Sequence, residues 1–216
     1  MAWFTRAVSS SVGKKYVMAL TGLLLGGFLL VHAAGNSTIF LGRGTFLAYA
    51  AHLHALGIAV AVAEFFLLAL FLTHVTTGLV LFLENRRART TRYAVGGSAG
   101  GRTWGSATMP YSGILIFSFL LLHLNNFRFI DPGANIADIV AGVLARPLYA
   151  VLYGIGFGAL TLHVSHGFWS LFQSAGINHP RCDRLIRVCA WLACGLIITV
   201  FAVIVLLLLL NSNQLA

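Results

Sequence analysis

The stretch GLLLGGFLLVHAAGN, residues 22–36, is an apolar run with a single histidine, His32, set inside it. The same layout returns as GILIFSFLLLHLNNF at residues 113–127, where His123 takes the matching place. Both runs begin with a glycine ten residues before the histidine. A histidine at the depth of a bilayer is costly and is usually there for a function.

A second pair of segments repeats in the same order. HVTTG at residues 74–78 follows the first run, and HVSHG at residues 163–167 follows the second. The chain is therefore interpreted as a two-helix unit written twice, with one buried histidine in each helix. The four histidines that the fold has to explain are His32, His74, His123 and His163.

The composition is that of a membrane protein. Of the 216 residues, 59% are hydrophobic and only 9% are charged, whereas a soluble domain carries roughly 25% charged residues. Each apolar run approaches the ~20 residues needed to cross the hydrocarbon, and each must be helical because no water satisfies its backbone there. The first run is too long for the core of a signal peptide. We expect an all-α integral membrane protein, a single domain over residues 1–216, with five spans at about 16–40, 60–83, 108–130, 148–172 and 190–210.

The net charge of +9 is divided unevenly between the two ends of these spans. Eleven of the fourteen Lys and Arg residues lie before span 1, between spans 2 and 3 or between spans 4 and 5. Only Arg43, Arg128 and Arg146 lie on the other side. Cytoplasmic loops carry such an excess, so the pattern places the N-terminus in the cytoplasm and the C-terminus outside. A basic inner face suits anionic lipid or an acidic partner rather than nucleic acid.

The segments between the spans predict smaller features. Residues 42–57 are too short to cross and predict an amphipathic helix on the outer surface. Residues 138–144 predict a short helix in the outer loop, and residues 173–187 predict a cytoplasmic loop. Span 5 has no ionisable residue and no repeat partner, so we expect it to be a packing helix added to the two repeats.

The three cysteines of the chain, at 182, 189 and 194, form no CxxC motif. Neither a zinc site, an iron–sulfur cluster nor the usual covalent haem attachment is therefore signalled. Free thiols are the expectation.

The four histidines fall into two layers when depth is counted along each helix. At a rise of ~1.5 Å per residue, His32 and His123 lie roughly 24 Å and 21 Å from the inner ends of their spans. His74 and His163 each lie about 14 Å from the inner ends of theirs. The spacing thus predicts that His32 faces His123 in an outer layer, and that His74 faces His163 in an inner layer.

Two histidines at one depth on different helices are a ligand set for a haem held edge-on to the membrane. They fill both axial positions, which closes the iron to oxygen and leaves electron transfer. Zinc would need four ligands at one depth, and a proton relay in a transporter should add acidic residues in the middle of the membrane. His166, one turn after His163, could replace it, although the HVTTG/HVSHG match favours His163. Small residues that would let helices, or a flat cofactor, approach closely are Gly22, Gly26, Gly154 and Gly158.

Several segments together resemble a known family. They are SVGKKYVMALTG, LLVHAAGN, FLAYAAHLH, LTHVTTGLVLFLENRRAR, RTWGSATMPYSG, LLLHLNNF, LHVSHGFWSLFQ and INHP, in this order along residues 11–180. The series is similar to the cytochrome b membrane-anchor subunit of prokaryotic succinate:quinone oxidoreductases and fumarate reductases, of the single-subunit, five-helix, two-haem type. The likeness covers nearly the whole chain and is weakest in span 5 and the tail.

The resemblance implies that a flavoprotein subunit oxidises succinate and that an iron–sulfur subunit passes the electrons on. This chain would bind two haems b and a quinone, menaquinone, in the membrane of a prokaryotic cell. The family's axial ligands fall on His32, His74, His123 and His163. Thr161 is a departure, because some two-haem fumarate reductases carry there an acidic residue of a transmembrane proton path. The resemblance does not extend to such a path.

The resemblance also suggests secondary sites. Ser11 and Lys15 are four apart and share a helix face, similar to the Ser/Arg pair at quinone sites of related anchors. Candidate quinone contacts are Ser11, Lys15, Arg102, Trp104 and His179 at the inner mouth and Glu64 near the outer haem. Candidate haem-propionate contacts are Lys15, Arg43, His52, Arg102 and Arg128. The alternatives are ordinary interfacial anchors for the inner cations, and a carboxylate that snorkels to the outer surface for Glu64.

Two other functions stay open at this point. One is the cytochrome b anchor of another quinone-linked dehydrogenase, such as a formate dehydrogenase or hydrogenase. The other is a transporter or a structural membrane subunit without a cofactor. The direction of flux, towards fumarate or towards succinate, is not determined by the sequence.

Overall fold

The chain is helical throughout the part described by a computed structural model, which covers residues 2–88, 104–129, 135–177 and 179–210. In chain order the elements are α1 (Ala2–Ser9), α2 (Ser11–Asn36), a 3-10 helix (Ser37–Leu41), α3 (Arg43–Ala55), α4 (Ile58–Arg87), α5 (Trp104–Phe127), α6 (Ile136–Leu144), α7 (Pro147–Ser174) and α8 (Pro180–Leu210).

Five of these helical segments are long and apolar enough to cross a membrane. They cover Ser11–Leu41, Ile58–Arg87, Gly105–Phe127, Pro147–Ser174 and Arg181–Leu210. The predicted all-α fold with five candidate spans is therefore confirmed. Most of these helices extend beyond the predicted ends of the spans. Continuing the helix outside the hydrocarbon keeps the backbone N–H and C=O groups hydrogen-bonded.

The largest difference from the prediction lies before span 5. A loop was expected up to Arg187, but α8 already begins at Pro180. Proline suits the first position of a helix, and an acidic residue in the first turn, here Asp183, suits its positive end. Arg187 lies one turn further on and donates to Asp183 at 3.5 Å. The charged segment is therefore the first turns of the helix rather than a loop.

The residues before span 1 also form a helix, α1, which contacts the start of α2. Ser10 caps α2, since its hydroxyl accepts a hydrogen bond from the Gly13 N–H at 3.0 Å. A side chain at Gly13 would overlap the carbonyl oxygen of Ala7. Glycine is thus needed where the two helices meet.

The two short outer helices are present where the sequence predicts them. In α3 the apolar and polar residues are not separated on opposite faces, so the prediction of an amphipathic surface is wrong. Helix α6 begins after Asn135, whose side-chain oxygen accepts from the Ala137 N–H at 3.0 Å. Arg43 joins α3 to α6 by donating to Asp138 at 2.6 and 3.1 Å.

Helices α2, α4, α5 and α7 form a four-helix bundle. Helix α2 packs against α4 and α7, and α5 packs against α7 and more lightly against α4. Around the bundle, α2 is therefore diagonal to α5, and α4 is diagonal to α7. Helix α8 packs on the outside of α7 and α2, as expected for an added packing helix.

Candidate functional site

The outer pair of histidines meets across the first diagonal of the bundle. The ring centres of His32 on α2 and His123 on α5 are 5.8 Å apart, with the ring planes at 84°. Aromatic rings with centres 5.2–6.2 Å from one of the two imidazoles surround the pair; they are Phe28, Phe119, Phe127, Tyr153 and Phe201. The outer layer is thus enclosed by apolar groups, and α8 contributes one of them.

The inner pair meets across the second diagonal. The ring centres of His74 on α4 and His163 on α7 are 6.2 Å apart, with the ring planes at 65°. Each imidazole contacts a hydroxyl through Nδ1. Thr21 Oγ1 lies 2.9 Å from His74 Nδ1, and Ser112 Oγ lies 3.1 Å from His163 Nδ1. The structure therefore brings together the same two pairs that the counted depths predict.

Two glycines make room for the inner imidazoles. A Cβ added at Gly22 would lie 3.3 Å from His74 Cε1, and one added at Gly113 would lie 3.7 Å from His163 Cε1. Elsewhere the expectation about small residues is only partly met. No atom lies within 4 Å of a Cβ added at Gly26, Gly154 or Gly158, so these three glycines mediate no close packing within the described part of the chain.

The spacing within each pair suits one metal ion between two imidazoles. A metal–imidazole bond is about 2 Å long, so imidazoles on opposite sides of one metal have their ring centres about 6 Å apart. Both pairs meet this condition. Among the described residues no group of three or more His, Cys, Asp or Glu side chains gathers. Each layer of the described structure therefore offers two imidazoles and no third ligand of these types.

One buried ring nitrogen points to a missing partner in the outer layer. His123 Nδ1 is buried and has no hydrogen-bond partner among the described residues. A buried polar atom without a partner is costly, and neutral imidazoles bind metals through either ring nitrogen. The lack of a partner for His123 Nδ1 is explained if this histidine binds a group that the chain itself does not supply.

His166 has a different environment from its neighbour His163. Its ring packs against Trp169, one turn further along α7, at 5.9 Å between centres. Trp169 in turn lies under the Arg187 guanidinium at 4.5 Å and donates to Asp183 at 3.4 Å. His166 belongs to this polar cluster between α7 and α8, whereas His163 faces His74.

The outer residues predicted for quinone and propionates form ion pairs with other side chains. Arg128 donates to both carboxylate oxygens of Glu64 at 2.9 Å, and these hydrogen bonds and the charge of Glu64 raise the pKa of Arg128. The hydrogen bond from Arg43 lowers the pKa of Asp138. The roles predicted for Glu64, Arg43 and Arg128 stay predictions. In this structure these side chains tie helix ends together.

The residues predicted to contact quinone at the inner end of the bundle do not form a cluster in the described structure. Ser11 and Lys15 are both exposed on the first turns of α2, while the neighbouring Lys14 forms an ion pair with Glu84 of α4. Arg102 and the side chain of Trp104 lie outside the described residues.

Two further candidate histidines are also exposed. His52 lies on the surface of α3 and donates to the carbonyl of Ala48 at 2.7 Å. The ring of His179 accepts from the Arg181 N–H at 3.2 Å at the start of α8. The three cysteines are free, as expected.

Thr21 and Ser112 are the site residues that the sequence interpretation missed. Each stands eleven residues before the outer histidine of its repeat (32 − 21 and 123 − 112) and directly before a glycine. A hydroxyl residue repeated in register with the histidines was the available signal.

No protein-family model, curated protein or solved structure matches the chain.

Proposed function

We propose that this chain is the cytochrome b membrane-anchor subunit of a succinate:quinone oxidoreductase in a prokaryotic cell membrane. It would hold one haem b between His32 and His123 and a second between His74 and His163. The observation that supports this most is the meeting of two imidazole pairs across the two diagonals of one bundle, 5.8 and 6.2 Å apart.

A haem held by two of these imidazoles would supply one-electron transfer at an iron closed to oxygen. The chain's own part is to orient four imidazoles in two layers along the membrane normal and to keep water away from them. The aromatic cluster does this for the outer layer. The five candidate spans would do it for the bundle as a whole, since their apolar side chains suit the lipid.

The dicarboxylate chemistry is assigned to partners. A flavoprotein subunit and an iron–sulfur subunit would dock on the cytoplasmic face, where the described part of the chain exposes basic side chains suited to acidic surfaces. These are Lys15, Arg86, Arg87, Arg181 and Arg184. Electrons would pass from the iron–sulfur subunit to membrane menaquinone, and the candidate quinone contacts are those named above.

A visible spectrum tests the cofactor proposal. The chain is produced with haem supply, purified, and measured as a dithionite-reduced minus oxidised difference, with a pyridine haemochrome count. Two haems b per chain, with bands that carbon monoxide does not change, are expected. One haem would leave only one layer correct. A folded protein without haem would refute the proposal.

Reduction by candidate donors tests the choice of dehydrogenase. In membranes that contain the complete complex, succinate should reduce the haems, and the chain should purify with a flavin-containing subunit. Reduction by formate or hydrogen but not by succinate would instead identify the anchor of another quinone-linked dehydrogenase.

A further inference from the structure

We propose that Thr21 and Ser112 are positioning residues that hold the proton of the inner histidines on Nδ1, so that Nε2 is presented to the metal. The proposal rests on the function proposed above and goes beyond it, because it assigns a separate device to the inner layer. It concerns His74 and His163 only.

Both hydroxyls are buried inside the bundle. Thr21 is 5% exposed and Ser112 is 3% exposed, and with Asn126 they are the three buried polar residues in the described part of the chain. Buried polar groups need hydrogen-bond partners. The only side chains these hydroxyls are seen to contact are the imidazoles of His74 and His163, on the second helix of each repeat.

The direction of the hydrogen bonds follows from the second contact of each hydroxyl. Thr21 donates to the carbonyl oxygen of Val17 at 2.7 Å, and Ser112 donates to that of Met109 at 3.1 Å. A hydroxyl has one proton and two lone pairs. With that proton given to a carbonyl, the hydroxyl can only accept from the ring. This arrangement assigns the ring proton to Nδ1 and leaves the lone pair for a metal on Nε2.

The same device is built into both repeats. Each hydroxyl precedes a glycine, Gly22 or Gly113, and the absence of a Cβ there lets the imidazole lie against the helix that carries the hydroxyl, at 3.3 and 3.7 Å from the added-Cβ position. The hydroxyl–imidazole contact occurs in both repeats, which argues against a chance contact.

The outer layer does not share the device. His32 Nδ1 lies 3.4 Å from the side-chain nitrogen of Asn36, and His123 Nδ1 has no partner among the described residues. The hydroxyl–imidazole contact therefore distinguishes the inner site from the outer one.

The distinction has a measurable consequence. An acceptor for the second ring N–H makes a ligating imidazole more basic, which favours the oxidised metal. Removal of the acceptor should therefore raise the midpoint potential of the inner haem and leave that of the outer haem unchanged.

The test is a redox titration of the complete haem-loaded protein, followed by visible and electron paramagnetic resonance spectroscopy. The variants are Thr21→Val and Ser112→Ala, and the inner haem is identified by its loss in His74→Ala. Each variant should shift the same one of the two potentials upward. Thr21→Ser and Ser112→Thr, which keep the hydroxyl, should restore it. Thr76→Val is the matched control, because Thr76 lies near His74 on α4 but bonds only to carbonyls of its own helix.

The outcomes separate this inference from the proposed function. Wild-type protein without haem overturns the proposed function. Two haems in the wild type with both potentials unchanged in Thr21→Val and Ser112→Ala overturn the positioning role alone. If a variant loses the inner haem, recovery in Thr21→Ser or Ser112→Thr supports the role, and failure to recover contradicts it.

Discussion

At the scale of single residues, two histidines one turn apart on α7 have opposite surroundings. His163 faces His74 and the Ser112 hydroxyl, whereas His166 packs on Trp169 outside the histidine pair. At about 100° per residue, two side chains three positions apart on a helix point within about 60° of each other. Helix geometry alone therefore does not separate the two rings, and their contacts with other side chains do. His166 is therefore a matched control for His163.

Replacement of these two histidines should have different effects on haem content. If the proposed two-haem arrangement is correct, His163→Ala should lose one of two haems, because it removes one of the two imidazoles that would hold the inner haem, and His166→Ala should keep both. A pyridine haemochrome count on each purified variant measures the difference. Loss of a haem in His166→Ala with retention in His163→Ala would reverse the assignment.

Glu64 and Arg128 should behave as a coupled pair. Both carboxylate oxygens accept from the same guanidinium, so Glu64→Gln and Arg128→Gln each break the same tie between α4 and the end of α5. The thermal midpoint of the double variant in detergent should equal that of the less stable single variant, because neighbours in one network are not additive. Additive losses would contradict the pairing.

The same variants test the predicted proton role of Glu64. Loss of quinone turnover in Glu64→Gln but not in Arg128→Gln would support a proton donor or acceptor. Unchanged turnover and an unchanged outer-haem potential in Glu64→Gln would refute it.

At the scale of elements, Gly156 is one of the glycines that let α5 and α7 pack closely. A Cβ at Gly156 would lie 2.5 Å from the ring of Phe119, and that ring also packs against His123 and Tyr153. At this point the two helices approach closely because Gly156 has no side chain.

Gly156→Ala should therefore lower the stability of the bundle by about 1–3 kcal/mol, the usual cost of overpacking a core. Gly195→Ala is the control, since no atom lies within 4 Å of a Cβ added there on α8 and alanine favours a helix. Thermal unfolding of both variants in detergent measures the effect. Equal midpoints for the two would show that Phe119 moves aside freely.

At the scale of the whole molecule, the charge distribution predicts the orientation in the membrane, and a native cysteine can report it. Cys182 is exposed in the first turn of α8, next to Arg181. In a Cys189→Ser, Cys194→Ser background, a thiol reagent that cannot cross the membrane should label Cys182 in inside-out vesicles and not in right-side-out ones. A Thr45→Cys variant in which all three native cysteines are serine places the single thiol on α3, and it should show the opposite pattern. Labelling of Cys182 from the outside would invert the topology.

The sequence by itself determined the number of spans, their order and the pairing of His32 with His123 and of His74 with His163. These properties are local, since hydropathy marks each span and a constant rise per residue converts position into depth. The start of α8 was misplaced because this helix continues beyond the apolar run that marks it.

Only the tertiary structure decided which helices stand diagonal, that Thr21 and Ser112 bind the inner imidazoles, and that Glu64 meets Arg128. These contacts join residues 51 to 64 positions apart and depend on how each helix is rotated about its axis. In a membrane the lipid and the protein interior are both apolar. The pattern of apolar residues therefore carries little information about that rotation, and packing between helices sets it.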